Sequence, residues 1–261
     1  MDKAWTNGSV AATPPVTIRR IGTGDLGEAL ARGWRDFLAT PTQLVFLCVL
    51  YPIVGLVAAR AMSGGELLPL LFPLVAGLAL VGPVAAVGLY EISRRREAGR
   101  PAGWLNAFDV LRSPALFPIA LVGVLLMAIF VAWLATARAI FDATIGIAPA
   151  SIGELLRLAF TTPEGYWLIL LGNGIGFLFA VAVLMLTVVS VPMLLDRNPG
   201  VGVAIQTSIR ACLKNPMPMA VWGLIVAVLL LLGSLPAFIG LAVVMPLLGH
   251  ATWHLYRRVV A

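Results

Sequence analysis

His250 and His254 are the only histidines in this chain, and their spacing is the one pattern that suggests a reactive site. Four residues apart on a helix, they share one face. A metal site would need a third ligand from elsewhere, and Glu91 and Asp196 are carboxylates at similar depth. The pair cannot clamp a haem, because axial ligands approach from opposite faces. Three uses stay open: a structural hydrogen-bonded cluster, a proton or solute relay that exploits titration near neutral pH, and a metal centre. Arg94, Arg197 and Arg257 flank the same positions. The candidate polar cluster is therefore Glu91, Arg94, Asp196, Arg197, His250, His254 and Arg257.

Other motifs are weaker. Gly22, Gly24 and Gly27 spell G-x-G-x-x-G, but a dinucleotide site needs a βαβ unit and here an apolar span follows. Thr23 or Gly24 as a helix cap, with Asp25 near the positive end of the dipole, accounts for these residues better. Gly172, Asn173, Gly174 and Gly176 read as a close helix approach, with Asn173 available to bond across helices. Gly88 with Tyr90, and Gly249 with Trp253, belong to the same packing vocabulary. Cys48 and Cys212 fall in a span and on a surface helix, so neither a disulfide nor a thiolate cluster is expected. No H-E-x-x-H, G-x-S-x-G or Walker loop is present. The expectation is a chain that is not an enzyme, with no catalytic residue, no cofactor and no metal.

The elements that position these residues follow from composition. With 60% hydrophobic and 11% charged residues and a mean hydropathy of +0.98, the chain has too little polar surface for a soluble globule. The pattern predicts an all-α polytopic membrane protein with six transmembrane helices and about four interfacial amphipathic helices. The spans are expected at Leu44 to Ala61, Leu67 to Tyr90, Ala115 to Ala137, Tyr166 to Leu195, Pro218 to Gly233 and Leu235 to Tyr256. Residues 1–20 are expected as a flexible cytoplasmic tail and 21–261 as a single membrane domain. Met1 to Pro15 show no early apolar core, so the first span would serve as the insertion signal. Only Arg60, Arg138 and Arg157 fall on one side of this arrangement. The other cations fall on the opposite side, which the positive-inside rule makes cytoplasmic, with both termini. The net charge of +6 then serves orientation and attraction to anionic headgroups, and no nucleic acid is expected as a partner. Ionisable residues are absent from the middle of the spans, which weakens a charge-coupled transporter.

A short amphipathic stretch, a Thr, Ser or Asn before proline, and an apolar run recur four times, at Pro41, Pro114, Pro163 and Pro216. In the first unit Leu26, Ala29, Leu30, Gly33, Trp34, Phe37 and Leu38 form an apolar stripe, with Asp25, Glu28, Arg32, Arg35 and Asp36 on the remainder. Such a helix is expected to lie in the interfacial plane. The fourth unit places Val201, Ala204, Ile205, Ile209, Cys212 and Leu213 opposite Gln206, Arg210 and Lys214. The second unit, Trp104 to Arg112, is shorter. The third, Ser151 to Phe160, falls on the outer side and opens with a capping box of Ser151 and Glu154. Pro83, Glu91, Arg94 and Arg95 also match Pro246, His254, Arg257 and Arg258 at equal offsets. Two explanations serve: kinked, arginine-anchored span ends, or duplication of a helix pair.

The runs Gly88-Leu-Tyr-Glu-Ile-Ser-Arg-Arg-Arg-Glu-Ala-Gly99, Pro192-Met-Leu-Leu-Asp-Arg197, Thr207-Ser-Ile-Arg-Ala-Cys-Leu-Lys-Asn-Pro216 and Gly249-His-Ala-Thr-Trp-His-Leu-Tyr-Arg-Arg258 resemble one family. It comprises uncharacterised six-helix bacterial inner-membrane proteins, a domain of unknown function sometimes labelled cytochrome c oxidase subunit I. The resemblance covers nearly all of the chain after Ile18. That oxidase label does not fit, since the subunit needs more metal-binding histidines and more spans than this chain supplies. A looser likeness in layout links the chain to the membrane portion of some bacterial glycerophosphodiesterases, whose catalytic carboxylates are missing here. The resemblance implies an inner-membrane protein of unassigned activity. The expected function is non-catalytic organisation of membrane lipids, a protein partner or a homo-oligomer. The alternative is a small-solute transporter or channel.

Overall fold

The proline units set the corners of the molecule. The computed structural model describes residues 16–42, 68–235 and 238–261. The expected first span, Leu44 to Ala61, lies outside the described residues. The α-helices are α1 (Thr23–Ala39), α2 (Leu71–Ala85), α3 (Val87–Glu97), α4 (Leu116–Thr144), α5 (Ile152–Thr161), α6 (Pro163–Thr187), α7 (Ser190–Arg197), α8 (Val201–Lys214), α9 (Pro216–Ser234) and α10 (Leu241–Val259). A 3₁₀ turn, Leu68–Leu70, precedes α2, and a 3₁₀ helix, Trp104–Arg112, precedes α4. Among the described residues the one extended pairing is an antiparallel bridge between Ile18 and Val260.

Each residue before a unit proline stands at a corner. Thr162 ends α5 and caps α6, its Oγ1 accepting from the Gly165 amide at 3.0 Å with Pro163 in the first helical turn. Asn215 joins α8 to α9 without a side-chain cap, again with proline at the start. Proline suits that place because its missing N–H would be unpaired in the first turn anyway. At the α5–α6 corner a Cβ on Gly165 would lie 2.1 Å from the Leu158 carbonyl oxygen, so only glycine fits. Ser151 caps α5 through the Glu154 amide, and the Glu154 carboxylate reaches back to the Ala150 amide, one residue earlier than the usual reciprocal partner.

Among the described residues, four helical stretches are long and apolar enough to cross a membrane: Leu68–Glu97, Leu116–Thr144, Pro163–Arg197 and Pro216–Ser234. Their outward positions, such as Phe117, Val124, Leu170, Phe177, Leu224 and Leu231, are exposed large apolar residues. Lipid is the solvent that such a surface fits. Trp133 of α4 wedges the bundle. Its Nε1–H donates to the Pro73 carbonyl at 2.8 Å, and its ring would meet a Cβ on Gly77 or Gly176. Gly176 therefore packs as the sequence suggests. Gly172, however, faces open space, and Asn173 bonds the Ile169 carbonyl of its own helix at 2.8 Å instead of bridging two helices.

Pro163–Arg197 has 35 residues and, at a helical rise of 1.5 Å, extends about 52 Å. The hydrocarbon core is only about 30 Å thick. The excess length enters a protein-packed head, and the helix breaks there at Val188 and Val189. Ser208 of α8 accepts from the freed Val189 amide at 3.2 Å, which satisfies a buried donor that has left the helical ladder. The expected sixth span corresponds to α10, which starts at Leu241 and is not among the four apolar stretches. From Leu248 to Tyr256 it is buried on almost all sides, so it serves as the central helix of the head.

The amphipathic helices bring small residues to their closest contacts. In α1 the buried set is Leu26, Ala29, Gly33, Asp36 and Phe37, while Trp34 and Leu38 stay exposed. A Cβ on Gly33 would lie 2.6 Å from the Ala251 amide nitrogen, so α1 and α10 touch backbone to backbone. In α8 the buried residues are Ala204, Thr207, Ser208, Ala211 and Cys212, and Leu213 points out. The expectation that the whole apolar stripe forms one face is corrected in both helices. Small side chains allow close helix approach, and large apolar ones can face lipid at no cost.

Candidate functional site

The histidines meet a carboxylate that the sequence pattern assigned to the solvated face. Asp36 follows Ala29 by seven positions and Gly33 by three, so it lies in phase with the small-residue stripe and is carried against α10. Its Oδ2 accepts from His254 Nε2 at 2.7 Å and from Ser93 Oγ at 2.6 Å, and its Oδ1 accepts from Arg96 Nε at 2.8 Å. Burial pushes the Asp36 carboxyl up, but the hydrogen bonds from His254, Ser93 and Arg96 outweigh it and hold the group down at about 2. The Ser93 proton is committed to Asp36. The 2.8 Å contact between Ser93 Oγ and His250 Nδ1 therefore needs the proton on His250 Nδ1, which assigns the tautomer from the network. His250 and Ser93 are both fully buried. The order is reversed relative to a hydrolase triad, because the hydroxyl proton points to the acid and not to the histidine.

The expected cluster separates into three groups. His250 and His254 join Asp36, Ser93 and Arg96. Glu91 is buried and held by Arg94 Nε at 2.7 Å and Arg95 Nε at 2.8 Å, and Arg95 goes on to Asp109 at 2.8 Å. Asp196 accepts from Tyr256 Oη at 2.7 Å and from Arg257 at 3.3 Å, with Arg197 at 3.7 Å. Neither Glu91 nor Asp196 is bonded to a histidine. No group of three metal-ligating side chains occurs among the described residues, so the third ligand that a metal reading needs is not brought to the histidine pair.

Further residues complete the head. Glu97 ties α3 to α10 by accepting from Trp253 Nε1 at 3.0 Å and Arg257 Nε at 3.0 Å. Arg258 pairs with both Asp25 and Glu28 of α1, and the Gly22 amide and Arg258 together hold the Asp25 carboxyl below its ordinary value. A Cβ on Gly249 would collide with Leu89 of α3, and one on Gly88 would meet Ala107 of the 3₁₀ helix. Asp36, Ser93, Arg96 and Glu97 carry much of this network. Only the phase of Asp36 with Ala29 and Gly33 could have revealed its role from sequence.

Residues 17–21 also belong to the head. Arg19 donates its amide to the Val259 carbonyl at 2.7 Å, and the Ala261 amide donates to Thr17 at 3.0 Å. The Asn215 side chain accepts from the Ile21 amide at 2.9 Å and donates to the Arg19 carbonyl at 3.1 Å. Lys214 Nζ donates to the Ile18 carbonyl at 2.7 Å. Of the tail expected over 1–20, residues 1–15 lie outside the described residues.

The long apolar helices of the described residues, their lipid-type exterior and the polar head at one end find a counterpart among known families. Residues 71–196 match DUF2189, a family of predicted integral membrane proteins. The DUF2189 match runs from α2 through most of α7, so it takes in Glu91, Arg94 and Asp196 and ends short of Arg197, the histidines and Arg257. Two of the four runs that suggested a membrane domain of unknown function fall essentially within it, and the chain is an integral membrane protein. No curated protein and no solved structure matches the chain.

Proposed function

We propose that this protein is a non-catalytic organiser of membrane lipid in a bacterial inner membrane, with its arginine-rich head on the cytoplasmic side. The observation that carries this reading is a set of exposed apolar ridges on its surface helices. On the 3₁₀ helix Leu105, Phe108 and Leu111 are all exposed, and a three-residue repeat places them in one line. On α5 the line is Ile152, Leu156 and Phe160, and on α1 it includes Trp34 and Leu38. Ridges of this kind seat a helix at the boundary of headgroups and acyl chains.

The polar network supports a structural use of the histidines, since Ser93 and His250 are enclosed and the Asp36 carboxylate is occupied by its own chain. The transporter or channel reading needs a polar cavity that reaches the middle of the spans. Two clefts in the described residues are lined largely by charged residues of the head. Orientation rests on the charge distribution. Arg94, Arg96, Arg197, Arg257 and Arg258 gather in the head, whereas Arg138 lies near the far end of α4, with Arg157 beyond it in α5.

The test is purification in a mild neutral detergent with quantification of retained lipid and of co-purifying proteins. Replacing Leu105, Phe108 and Leu111 with serine should keep the fold and lower the lipid retained. Equal lipid retention by the variant and the native chain, with no co-purifying partner, would overturn the reading.

A further inference from the structure

We infer that the cleft between residues 19–21, α1 and the end of α10 is a binding site for a phosphate-bearing anion. It has a volume of about 350 Å³ and is lined by Arg19, Arg20, Arg32, Arg257 and Arg258, with Asp25 and Glu97 as the carboxylates among the described residues of its wall. Both of these acids are already engaged, Asp25 with Arg258 and Glu97 with Arg257. Arg32 is engaged with Glu28. Arg19 and Arg20 are exposed, and no ion pair to either occurs among the described residues. Two guanidinium groups thus line the cleft with their charge uncommitted.

The backbone that carries them is fixed. Hydrogen bonds with Val259, Ala261, Lys214 and both ends of the Asn215 amide hold residues 17–21 in place. Arginines that serve only to orient a membrane protein need no such support, because the positive-inside rule counts charges irrespective of their geometry. A guanidinium pair held over a cleft, with three more arginines around it, suits an anion that carries several oxygens and more than one negative charge. Phosphate is the group that accepts paired N–H donors from several arginines at once. The anion could be the headgroup of an acidic lipid or a soluble phosphate compound, and the chemistry is common to both. The inference deepens the lipid reading above if the source is lipid, and stands apart from it if the source is soluble.

The experiment uses the full chain in a neutral detergent and titrates phosphatidylglycerol, phosphatidylcholine and inorganic phosphate separately, following binding by native mass spectrometry and thermal stabilisation. The expected result is saturable binding of phosphatidylglycerol or of inorganic phosphate, with at least tenfold weaker binding when Arg19→Ala and Arg20→Ala are combined. Both residues are exposed, so the double variant should fold. Arg19→Lys with Arg20→Lys should bind at an intermediate strength, and Arg35→Ala, an exposed arginine outside the cleft, should bind like the native chain. Preference for phosphatidylglycerol identifies a lipid source, and binding of inorganic phosphate without it identifies a soluble one. Absence of saturable binding to either anion, or binding that the Arg19 and Arg20 substitutions leave unchanged, would overturn the inference. In that last case lipid retention through the apolar ridges would still stand.

Discussion

Replacing Asp36 with asparagine should destabilise the head by an amount that the structure allows to be worked out. The native carboxyl is held at about 2 against an ordinary 3.8, a displacement that corresponds to about 2 kcal/mol in favour of the charged form. Asp36 is only 7% exposed, so little of this is lost to solvent screening. Stranding His254 and Ser93 in a buried site would raise the loss toward about 3–5 kcal/mol, but Arg96 remains 34% exposed and can rehydrate. A loss of about 2–3 kcal/mol is expected, and for a chain of this size that shifts the midpoint by roughly 5–10 °C. The sign with pH follows from the depressed value. The stabilisation is complete above about pH 5, declines as pH falls below 3.8, and is about half gone by pH 3. Thermal unfolding followed by tryptophan fluorescence in neutral detergent, at pH 7 and at pH 3, provides the assay. The gap between native protein and Asp36→Asn should be widest at pH 7 and should roughly halve at pH 3. A variant with the native midpoint at pH 7, or a gap that does not change with pH, would refute the account of the network.

Other substitutions probe separate contacts. Gly33→Ala should lower the midpoint by the equivalent of about 1–3 kcal/mol, because its Cβ would press on the Ala251 backbone, which cannot move aside. Gly27→Ala on the same helix meets nothing within 4 Å and should raise stability by up to about 1 kcal/mol, so the pair separates packing from propensity in one unfolding assay. Asn215→Ala should release residues 17–21, seen as faster tryptic cleavage after Arg19 and Arg20, with little change elsewhere. Cys212 is buried, which pushes its thiol up to about 11. In a Cys48→Ser background it should resist a maleimide at neutral pH and react on unfolding.

The long apolar runs and the proline corners were legible in the sequence because each depends on local rules, namely span length, capping and the missing proline amide. The pairing of charges was not. Asp36 reads as one more member of a charged face until it is recognised that Ala29 and Gly33, being small, define the packing side. In a soluble helix the large apolar residues would have marked that side. Here Trp34 and Leu38 can face lipid while Leu26 and Phe37 are buried, so hydrophobicity alone does not mark which residues turn inward. Glu91 and Asp196 lie at the right depth for the histidines and yet each satisfies arginines nearer to hand. Depth along a span is a one-dimensional measure, and it does not tell which side of a helix a carboxylate occupies. The equal offsets of Pro83 and Pro246 likewise lead to different partners, since Glu91 meets Arg94 and Arg95 whereas His254 meets Asp36.

The bridge between Ile18 and Val260 has a consequence for biogenesis. Arg19, Asn215 and Val259 are brought together from distant parts of the chain, and α1 finds its packing partner in α10. During synthesis α1 emerges before almost everything it will touch. Glu28 has Arg32 at hand and Asp36 meets Ser93 and Arg96 once α3 is made, but Asp25 waits for Arg258, and Asp36 for His254, until α10 has been translated. The head therefore closes last, as a long-range step with a large entropy cost. A chain stalled before Leu241 would leave Gly33 without Ala251, Asp25 without Arg258 and Asp36 without His254, a feature by which a quality-control protease could tell a half-made copy from a finished one.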